Sequence, residues 1–430
     1  MQFYSLSKVY KKSFKEAVLE GIAPDKSLYF PSLLPKIDQD FWEKISSLTN
    51  EEIGFQLIKP FIGNDIPDEK LREIISKTLS FDFPVIHITR NLYSLELFHG
   101  PTLAFKDVGA RFMAECLSYF NQDTDKESTV LVATSGDTGG AVANGFYKTK
   151  GVKVVILYPS KKVTDIQERQ LTTLGENITA IEIDGSFDDC QDIVKKAFLD
   201  DDLNKINLTS ANSINIARWL PQMIYYALAY KQLKHHNKEL IISCPSGNFG
   251  NICAGIVAKK MGLPIKQFIA STNANDTIPR YLLTKRYEPT PTTPTLSNAM
   301  DISNPSNFVR IEELYNHNFE HLKNDFYSYS FTDNETKAMM KFIYKNYNYI
   351  TEPHGAIGYL GLLKHLKQND NYIGVFAETA HPIKFLNTVE KTLNIELTIP
   401  EEIEDLLNKE KRAFKISKYE EIKQFLLDLK

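Results

Sequence analysis

The sequence predicts an α/β fold whose sheets are mostly parallel. Short, strongly apolar segments such as residues 129–135 and 152–160 alternate with helical segments such as residues 164–174. Strands that alternate with helices pair in parallel through crossover connections, and this pattern is typical of open α/β sheets. A chain of 430 residues is also longer than one ordinary core requires, so we expect two domains, or one domain with additions.

Local patterns place the individual elements. Residues 177–184, 240–246 and 265–272 are predicted as further strands. A capping-box signature from Ser13 to Glu16 predicts a helix that ends near Gly21. A second helix is predicted from Ser186, because its apolar residues fall on one face. Those residues are Phe187, Cys190, Val194, Ala197 and Phe198.

The remaining parts of the chain have a different character. The stretch between Gly262 and Gly355 contains no glycine and is rich in Thr, Asn, Pro and Tyr. Beyond the strand at 265–272, this composition predicts a long loop followed by helices. The alternation of strand and helix resumes over residues 351–385, where "YIGVFAE" is predicted as a strand.

Composition excludes several classes of partner. A formal charge of −4 with interspersed acids and bases provides no basic stripe for a nucleic acid. No apolar run is long enough for a membrane span, and we expect a cytoplasmic protein. The string His317 to His321 matches the inverted zincin pattern H-x-x-E-H but has no evident third ligand, so no metal site is predicted. The cysteines form no C-x-x-C pair, which favours reduced, buried thiols.

Two glycine-rich loops each follow a predicted strand and begin a helix. They are "TSGDTGGA" (134–141) and "PSGNFGN" (245–251). Glycine lets backbone N–H groups approach an anion, and the helix N-terminus adds a favourable dipole. One such loop is equally typical of a tight βα turn, but two loops dense in Ser, Thr and Asn favour binding of a small phosphate and a small carboxylate. Neither loop matches the dinucleotide fingerprint or the P-loop.

Lys106 lies between a glycine-proline turn and a predicted helix. A lysine at such a place is often an ordinary surface residue of an amphipathic helix. Beside two anion-binding loops, however, it has the chemistry that a pyridoxal 5'-phosphate enzyme requires. A partly desolvated lysine has a lowered pKa, so its amine forms a Schiff base and transfers protons more readily.

Four motifs occur in order along the chain: "HGPTLAFKDVGARFM", "TSGDTGGA", "PSGNFGN" and "AETAHPIKF". Together with the N-terminal "SFKEAVLEGIAPDKSLYFP", they resemble the threonine synthases, which are pyridoxal-phosphate enzymes of fold-type II. The resemblance covers nearly the whole chain. It implies conversion of O-phospho-L-homoserine and water into L-threonine and phosphate.

The resemblance also implies a domain organisation with two open, mostly parallel α/β domains and an N-terminal extension. Residues 1–93 would pack on the large domain. Residues 94–230 would form a small domain with the Schiff-base lysine and the substrate carboxylate loop. Residues 231–430 would form the large domain with the cofactor phosphate loop.

Site residues follow from the same resemblance, position by position. The implied cofactor-binding residues are Lys106, Gly247, Asn248, Phe249, Gly250, Asn251 and Thr379, with Lys106 catalytic and Thr379 facing the pyridine nitrogen. The implied substrate-binding residues are Thr134, Ser135, Gly136, Asp137 and Thr138 for the carboxylate, and Asn212, Ser213 and Arg218 of "NSINIAR" for the phosphate.

Some of these assignments leave alternatives open. Arg218 without its Asn and Ser neighbours is typical of a helix surface. Asp137 stands where relatives present an Asn to the cofactor's ring hydroxyl, so it either points elsewhere or is protonated. His381 either supports the site or packs in the core. A phospho-lyase that releases a 2-oxo acid, or a silent binding protein, would share these motifs, and the chain is a monomer or a homodimer.

Overall fold

The computed structural model of the protein describes residues 1–122, 127–366 and 371–429. The strands within these ranges are β1 (Phe3–Ser5), β2 (Lys11–Lys12), β3 (Tyr29–Pro31), β4 (Val85–Thr89), β5 (Leu92–Glu96), β6 (Ser128–Ala133), β7 (Val152–Pro159), β8 (Ile178–Ile183), β9 (Asn207–Ser210), β10 (Glu239–Pro245), β11 (Ile265–Thr272), β12 (Phe326–Ser330), β13 (Tyr372–Glu378) and β14 (Phe414–Lys415). They form a small antiparallel sheet, β2-β1-β3, and two larger sheets. The larger sheets are parallel except for the β4–β5 pair. This arrangement confirms the predicted α/β fold.

Helices connect and cover these sheets. They are α1 (Phe14–Glu20), α2 (Gln39–Lys44), α3 (Asn50–Ile62), α4 (Asp68–Thr78), α5 (Lys106–Phe120), α6 (Asp137–Gly145), α7 (Asp165–Thr172), α8 (Phe187–Ala197), α9 (Ile216–Trp219), α10 (Met223–Leu233), α11 (Gly250–Met261), α12 (Thr277–Thr284), α13 (Phe308–Leu314), α14 (Phe319–Asp325), α15 (Asp333–Tyr347), α16 (Pro353–Leu366), α17 (Leu386–Leu393), α18 (Glu401–Asn408) and α19 (Tyr419–Asp428). In the described part of the chain, no helix combines the length and apolarity needed to cross a membrane.

Capping residues begin the helices where the sequence predicts them. The Ser13 side chain accepts a hydrogen bond from the backbone of Glu16, whose own side chain returns to the Ser13 backbone. Helix α1 then ends at Gly21, which has φ of 72°. Ser186 and Asp189 form the same reciprocal cap at the start of α8. Each cap satisfies backbone N–H groups that have no partner inside the helix.

The five-stranded sheet, with order β14-β8-β7-β6-β9, contains the three strands predicted over residues 128–184. Its central strands β6 and β7 are buried on both faces. In β6, Val130 and Val132 pack into the main core, whereas Leu131 and Ala133 pack into a second apolar cluster. Covered faces on both sides explain why this strand is an uninterrupted apolar run instead of an alternating one.

The six-stranded sheet, with order β12-β11-β10-β13-β5-β4, contains strands from distant parts of the chain. Strand β5 pairs with β13, and β4 pairs with β5, although both precede the strands of the other large sheet. Conversely, strand β14, near the C-terminus, pairs with β8 of the five-stranded sheet. The division into 1–93, 94–230 and 231–430 stays a prediction, and these two pairings cross its boundaries.

The structure corrects the expectation for the segment before Gly355. Helices α12 to α15 do occupy much of it, but Phe326–Ser330 forms strand β12, which pairs in parallel with β11. Helix α14 ends where β12 begins, so no turn sequence separates the two elements. The loop that usually marks the start of a strand is therefore missing here.

Candidate active site

One cleft lies at the carboxyl ends of strands from both large sheets. Ala133 ends β6, Pro245 ends β10 and Thr379 follows β13, and all three line the cleft. Open parallel sheets bind ligands at this edge. The cleft opens to solvent, and the space within it and at its mouth amounts to about 760 Å³. Its other lining residues are Phe105, Lys106, Ser135, Asp137, Thr138, Phe187, Asn212, Ser213, Arg218, Gln222, Gly247, Asn248, Phe249, Gly250, Asn251, Ala299, Met300, Ile302 and His354.

Lys106 is the first residue of α5, and the backbone before it fixes its position. The N–H of Phe105 donates to the carbonyl of Thr379 at 2.9 Å. Ala104 forms an isolated β-bridge with Ala380. These contacts attach the start of α5 to the end of β13, so the Lys106 side chain enters the cleft.

The surroundings of Lys106 lower the pKa of its amine to about 8. Desolvation is the largest cause, and the positive charges of Arg218 and Lys384 add to it. The Asp137 carboxylate opposes the shift. A lysine with this pKa has a far larger neutral fraction near pH 7 than an exposed lysine, and the neutral amine is the form that attacks an aldehyde or accepts a proton.

The loop before α6 is organised by Thr134, which the sequence assigns to substrate binding. Its hydroxyl accepts hydrogen bonds from the N–H groups of Gly136 (3.0 Å) and Gly139 (2.8 Å). This bonding holds Thr134 beneath the loop, and it does not line the cleft. Gly136 is also turned away, since a Cβ there would collide with the Gln167 side chain. Ser135, Asp137 and Thr138 therefore line the cleft, whereas Thr134 and Gly136 shape the loop behind it, and the binding roles of all five stay predictions.

Asp137 forms a buried ion pair with Lys384. The Lys384 Nζ atom lies 2.7 Å from Asp137 Oδ1, and the Gln167 amide donates to the same oxygen at 3.1 Å. Burial by itself raises the pKa of Asp137, but Lys384 and then Lys106 lower it to about 2. Of the two alternatives for Asp137, the structure shows an ionised carboxylate that points to a lysine.

The second glycine-rich loop leads into α11. Phe249 adopts φ of 60° immediately before the helix, which turns the chain sharply at the cleft. The Asn248 side chain accepts from the N–H of Ser306 at 2.9 Å, and the Asn251 side chain donates to Pro245 at 2.9 Å. The N–H of Ile252 donates to the Asn251 side chain at 2.8 Å and the N–H of Cys253 donates to the Phe249 carbonyl at 3.0 Å, so the N–H groups of Gly250 and Asn251 are the ones suited to an anion.

Arg218 is not a surface residue, since it is only 3% exposed. Its Nη1 atom donates to the carbonyl of Ala211. Its Nε atom has no hydrogen-bond partner within residues 1–122, 127–366 and 371–429. Burial lowers the pKa of Arg218 to about 10, so the group remains a cation at neutral pH. A buried cation with a vacant donor on the cleft wall is suited to an anion.

The neighbouring Asn212 and Ser213 are held in place by residues outside the predicted motif. Asn212 donates to the carbonyl of Ala133 at 2.8 Å, and the Ser213 hydroxyl accepts from Asn307 at 2.9 Å. Arg310 is fully buried and donates to the Ser213 carbonyl at 3.2 Å. Sequence reasoning missed Arg310, because nothing in its local pattern indicates a contact with a loop so distant in the chain.

Thr379 and His381 occupy different environments despite their proximity in sequence. Thr379 lines the cleft. His381 does not, and its Nδ1 atom accepts from the N–H of Ile383 at 3.1 Å while its ring packs edge-on against Phe98. Burial lowers the pKa of His381 to about 4, so it is neutral. His381 therefore caps a turn and packs in the core.

Two further residues of the site were missed. His354 lines the cleft, and Lys384 pairs with Asp137. Both lie in stretches with recognisable features: Lys384 belongs to the motif "AETAHPIKF", and His354 follows Glu352-Pro353 at the start of α16. The sequence does not assign either residue to the site, because it does not show which residues lie beside His354 or Lys384 in the fold.

The residues present fit pyridoxal 5'-phosphate. Lys106 supplies a desolvated primary amine for the aldehyde, and the N-terminus of α11 supplies free N–H groups for the phosphate. The Thr379 hydroxyl is available for the ring nitrogen.

Comparison with known proteins gives a consistent assignment. Residues 85–376 match the family described as "Pyridoxal-phosphate dependent enzyme". Residues 4–79 match the threonine synthase N terminus, and residues 355–426 match the threonine synthase C-terminal family. The threonine synthase of Buchnera aphidicola subsp. Baizongia pistaciae is 45% identical over 433 residues, covering 100% of both chains.

Solved structures agree with these matches. The crystal structure of threonine synthase from Escherichia coli superposes with a TM-score of 0.95 at 41% identity, covering 100% of both chains. The pyridoxal-phosphate-bound threonine synthase from Brucella melitensis superposes with a TM-score of 0.92 at 31% identity, covering 99% of this chain and 98% of that chain. The chain therefore belongs to the threonine synthase family of pyridoxal-phosphate-dependent enzymes.

Proposed function

We propose that the protein converts O-phospho-L-homoserine and water into L-threonine and phosphate with the help of pyridoxal 5'-phosphate. The observation that carries this proposal is the joint position of Lys106 and Arg218. A lysine with a lowered pKa and a buried arginine with a vacant donor line one cleft, between the N-termini of α6 and α11. This arrangement suits a substrate that has both a carboxylate and a leaving phosphate.

The positions of the side chains support the cofactor-binding roles that we propose. Lys106 would form the covalent link to the aldehyde carbon, the amides of residues 247–251 would hold the phosphate, and the Thr379 hydroxyl would face the ring nitrogen. When bound, the cofactor supplies an electron sink for charge that develops at the substrate carbons. A hydroxyl partner leaves the ring nitrogen largely unprotonated, so more of the proton transfer falls to Lys106.

Substrate binding is divided between two parts of the cleft. Ser135 and Thr138, at the N-terminus of α6, are placed to bind the α-carboxylate. Asn212, Ser213 and Arg218 are placed to bind the phosphate. Because Arg218 is buried, its charge is weakly screened and holds the phosphate as the latter gains charge during departure.

Lys106 performs the proton transfers that begin the reaction. Its neutral amine removes the Cα proton and then a Cβ proton. Loss of phosphate from the γ-carbon follows, and water adds at Cβ. Arg218 stabilises the charge that accumulates on the departing phosphate.

The experiment that tests this function is product analysis. The purified protein with its cofactor is incubated with O-phosphohomoserine, and the products are identified by NMR and by a phosphate assay. We expect threonine and phosphate in equal amounts. Formation of 2-oxobutyrate would instead support a phospho-lyase, and absence of any turnover by a protein that lacks visible absorbance would support a silent binding protein.

A further inference from the structure

A histidine and a glutamate at the start of α16 form a buried pair with no role in the reaction described above. The Nδ1 atom of His354 lies 2.5 Å from Oε2 of Glu352, and the two side chains are 2% and 0% exposed. Glu352 also accepts hydrogen bonds from the backbone N–H groups of His354 (2.5 Å) and Gly355 (3.0 Å). These bonds direct the carboxylate toward Nδ1, so Nδ1 carries a proton.

The other ring nitrogen of His354 is available to a ligand. The histidine lines the same cleft as Lys106 and Arg218, and its ring packs edge-on against Phe385 with 5.0 Å between centroids. Its Nε2 atom has no hydrogen-bond partner in the part of the chain that the structure describes. Since an unpaired buried polar atom is destabilising, a partner for Nε2 is expected to come from a bound molecule.

The charges around His354 favour its protonated form. Burial by itself lowers the pKa of His354, whereas Glu352 and then Asp137 raise this pKa. Lys106 opposes the two carboxylates, but the net result is a raised pKa. Asp301 also interacts with His354, and burial raises the pKa of the Asp301 carboxyl to about 6. His354 therefore retains its proton to higher pH than an exposed histidine does.

A second carboxyl group beside Glu352 does not compete for the histidine. Burial, and then the charge of Glu352, raise the pKa of Glu378 well above its usual value, so Glu378 is neutral. A Cβ at Gly355 would collide with the Glu378 carboxyl, so glycine there lets the group lie against the start of α16. Of the two carboxyl groups, Glu352 is the one hydrogen-bonded to His354.

The proposed reaction requires a second acid–base group. Lys106 must pass the Cα proton to solvent before it accepts the Cβ proton, because one amine does not hold both. Cα later regains a proton from the water whose hydroxyl adds at Cβ. The γ-carbon must also gain a proton after its C–O bond breaks, since it becomes the methyl carbon of threonine. A buried, protonated imidazole on the same cleft wall meets this need.

We propose, on the basis of the function proposed above, that His354 is a further catalytic residue that donates its Nε2 proton to the γ-carbon. The C–O bond breaks first, and its electron pair leaves with the phosphate. The new C–H bond then forms with an electron pair of the unsaturated substrate while the Nε2–H bond breaks and leaves its pair on the imidazole. The Lys106 ammonium, which holds the Cβ proton, returns a proton to Nε2.

The test separates the steps that precede this proton transfer from those that follow it. In the holoenzyme with His354→Gln, we expect threonine formation to fall by at least about tenfold. Exchange of the substrate α-hydrogen in D2O, followed by NMR, should stay within about threefold of the wild-type rate, because Lys106 performs it. Rapid-quench assays should still show a burst of one phosphate per active site. The matched control is His381→Asn, which keeps a capping acceptor at a half-buried histidine outside the cleft and should leave all three rates unchanged.

Two results would overturn the proposal. One is threonine formation by the His354→Gln enzyme within about threefold of the wild-type rate. The other is an equal loss of α-hydrogen exchange and threonine formation, which would indicate a structural role. Neither result bears on the function itself, which the wild-type products decide.

A measurement on the wild-type protein keeps the proposal testable if the variant fails to fold. Histidine 15N NMR of the protein with and without cofactor should show both His354 nitrogens protonated above the pH at which an exposed histidine titrates. Glu352→Gln should lower the pKa of His354 and move the alkaline limb of threonine formation to lower pH, because the proton donor is then lost earlier as pH rises. A neutral His354 at pH 7 in the wild-type protein would overturn the proposal.

Discussion

The Nζ atom of Lys384 lies 2.7 Å from Oδ1 of Asp137, and neither side chain is more than 3% exposed. Lys384 follows strand β13 of the six-stranded sheet. Asp137 begins helix α6, which follows β6 of the five-stranded sheet. The pair therefore joins the two sides of the cleft. It also places a cation and an anion beside Lys106, where they act on the pKa of its amine in opposite directions.

Lys384→Met should destabilise the protein strongly, because it leaves the Asp137 carboxylate buried without a partner. We expect the free energy of unfolding of the apoprotein to fall by about 3–5 kcal/mol in urea titrations. The double variant with Asp137→Asn should lose less. The control is Lys195→Met, whose pair with Asp192 is 69% and 65% exposed and contributes at most about 1 kcal/mol. Equal losses for the Lys384 and Lys195 variants would contradict the assigned role.

Lys106→Ala should yield a folded protein without turnover. Removing a desolvated amine relieves its burial penalty, so the apoprotein should be at least as stable as the wild type. The variant should hold the cofactor without a covalent link, so that borohydride reduction leaves no label on the protein in mass spectrometry. Lys148→Ala, at a lysine that is 62% exposed, serves as the control. A reducible link that persisted in the Lys106 variant would show that another lysine is the attachment point.

The attachment of cofactor to the apoprotein should depend on pH through Lys106. Only the neutral amine reacts, and its pKa is about 8, so the rate constant should rise about tenfold per pH unit well below 8 and level off above it. Arg218→Ala removes a cation and should move the profile to higher pH, whereas Asp137→Asn removes an anion and should move it to lower pH. Stopped-flow absorbance measures these rates. If both variants moved the pH profile in the same direction, the profile would not report the pKa of Lys106.

The two glycines of the second loop should respond differently to substitution. A Cβ at Gly247 would lie 2.8 Å from the Cα atom of Met300, so Gly247→Ala should destabilise even the apoprotein. A Cβ at Gly250 would meet only side-chain atoms, the nearest being Ser213 Cβ at 3.2 Å. Gly250→Ala should therefore reduce cofactor affinity more than apoprotein stability. Fluorescence titration measures the cofactor affinity, and thermal unfolding measures the stability of the apoprotein. Equal losses of affinity and stability in Gly250→Ala would indicate that the loop is only a tight turn.

Arg218→Ala should separate substrate recognition from cofactor binding. Charge-assisted hydrogen bonds to the phosphate are worth roughly 1.5–3 kcal/mol. Turnover of O-phosphohomoserine should then fall at least about tenfold, since ~1.4 kcal/mol corresponds to one decade. The visible absorbance of the bound cofactor should be unchanged, and inhibition by free phosphate should weaken. Arg218→Lys should restore only part of the activity, because an ammonium lacks the planar fork. Normal turnover of the alanine variant with unchanged phosphate inhibition would place the phosphate elsewhere.

Sequence alone determined the order of strands and helices in the middle of the chain, because apolar runs, capping residues and glycine turns are local signals. The glycine-rich loops at 134–141 and 245–251 were identifiable for the same reason. Strand β12 was not, since α14 ends at Asp325 and β12 begins at Phe326 with no loop between them. The position of Lys106 at the head of a helix was also readable, although its altered pKa depends on side chains far away in the chain.

Only the tertiary structure decided which polar residues of the motifs face the cleft. Thr134 lies within a motif yet supports its own loop, whereas His354 lies outside the assigned motifs and lines the cleft. The Lys384–Asp137 pair and the Arg310 contact with Ser213 join segments that are distant in sequence. Such contacts arise when crossover connections bring the ends of separate strands to one edge, and no local pattern records which side chains then meet.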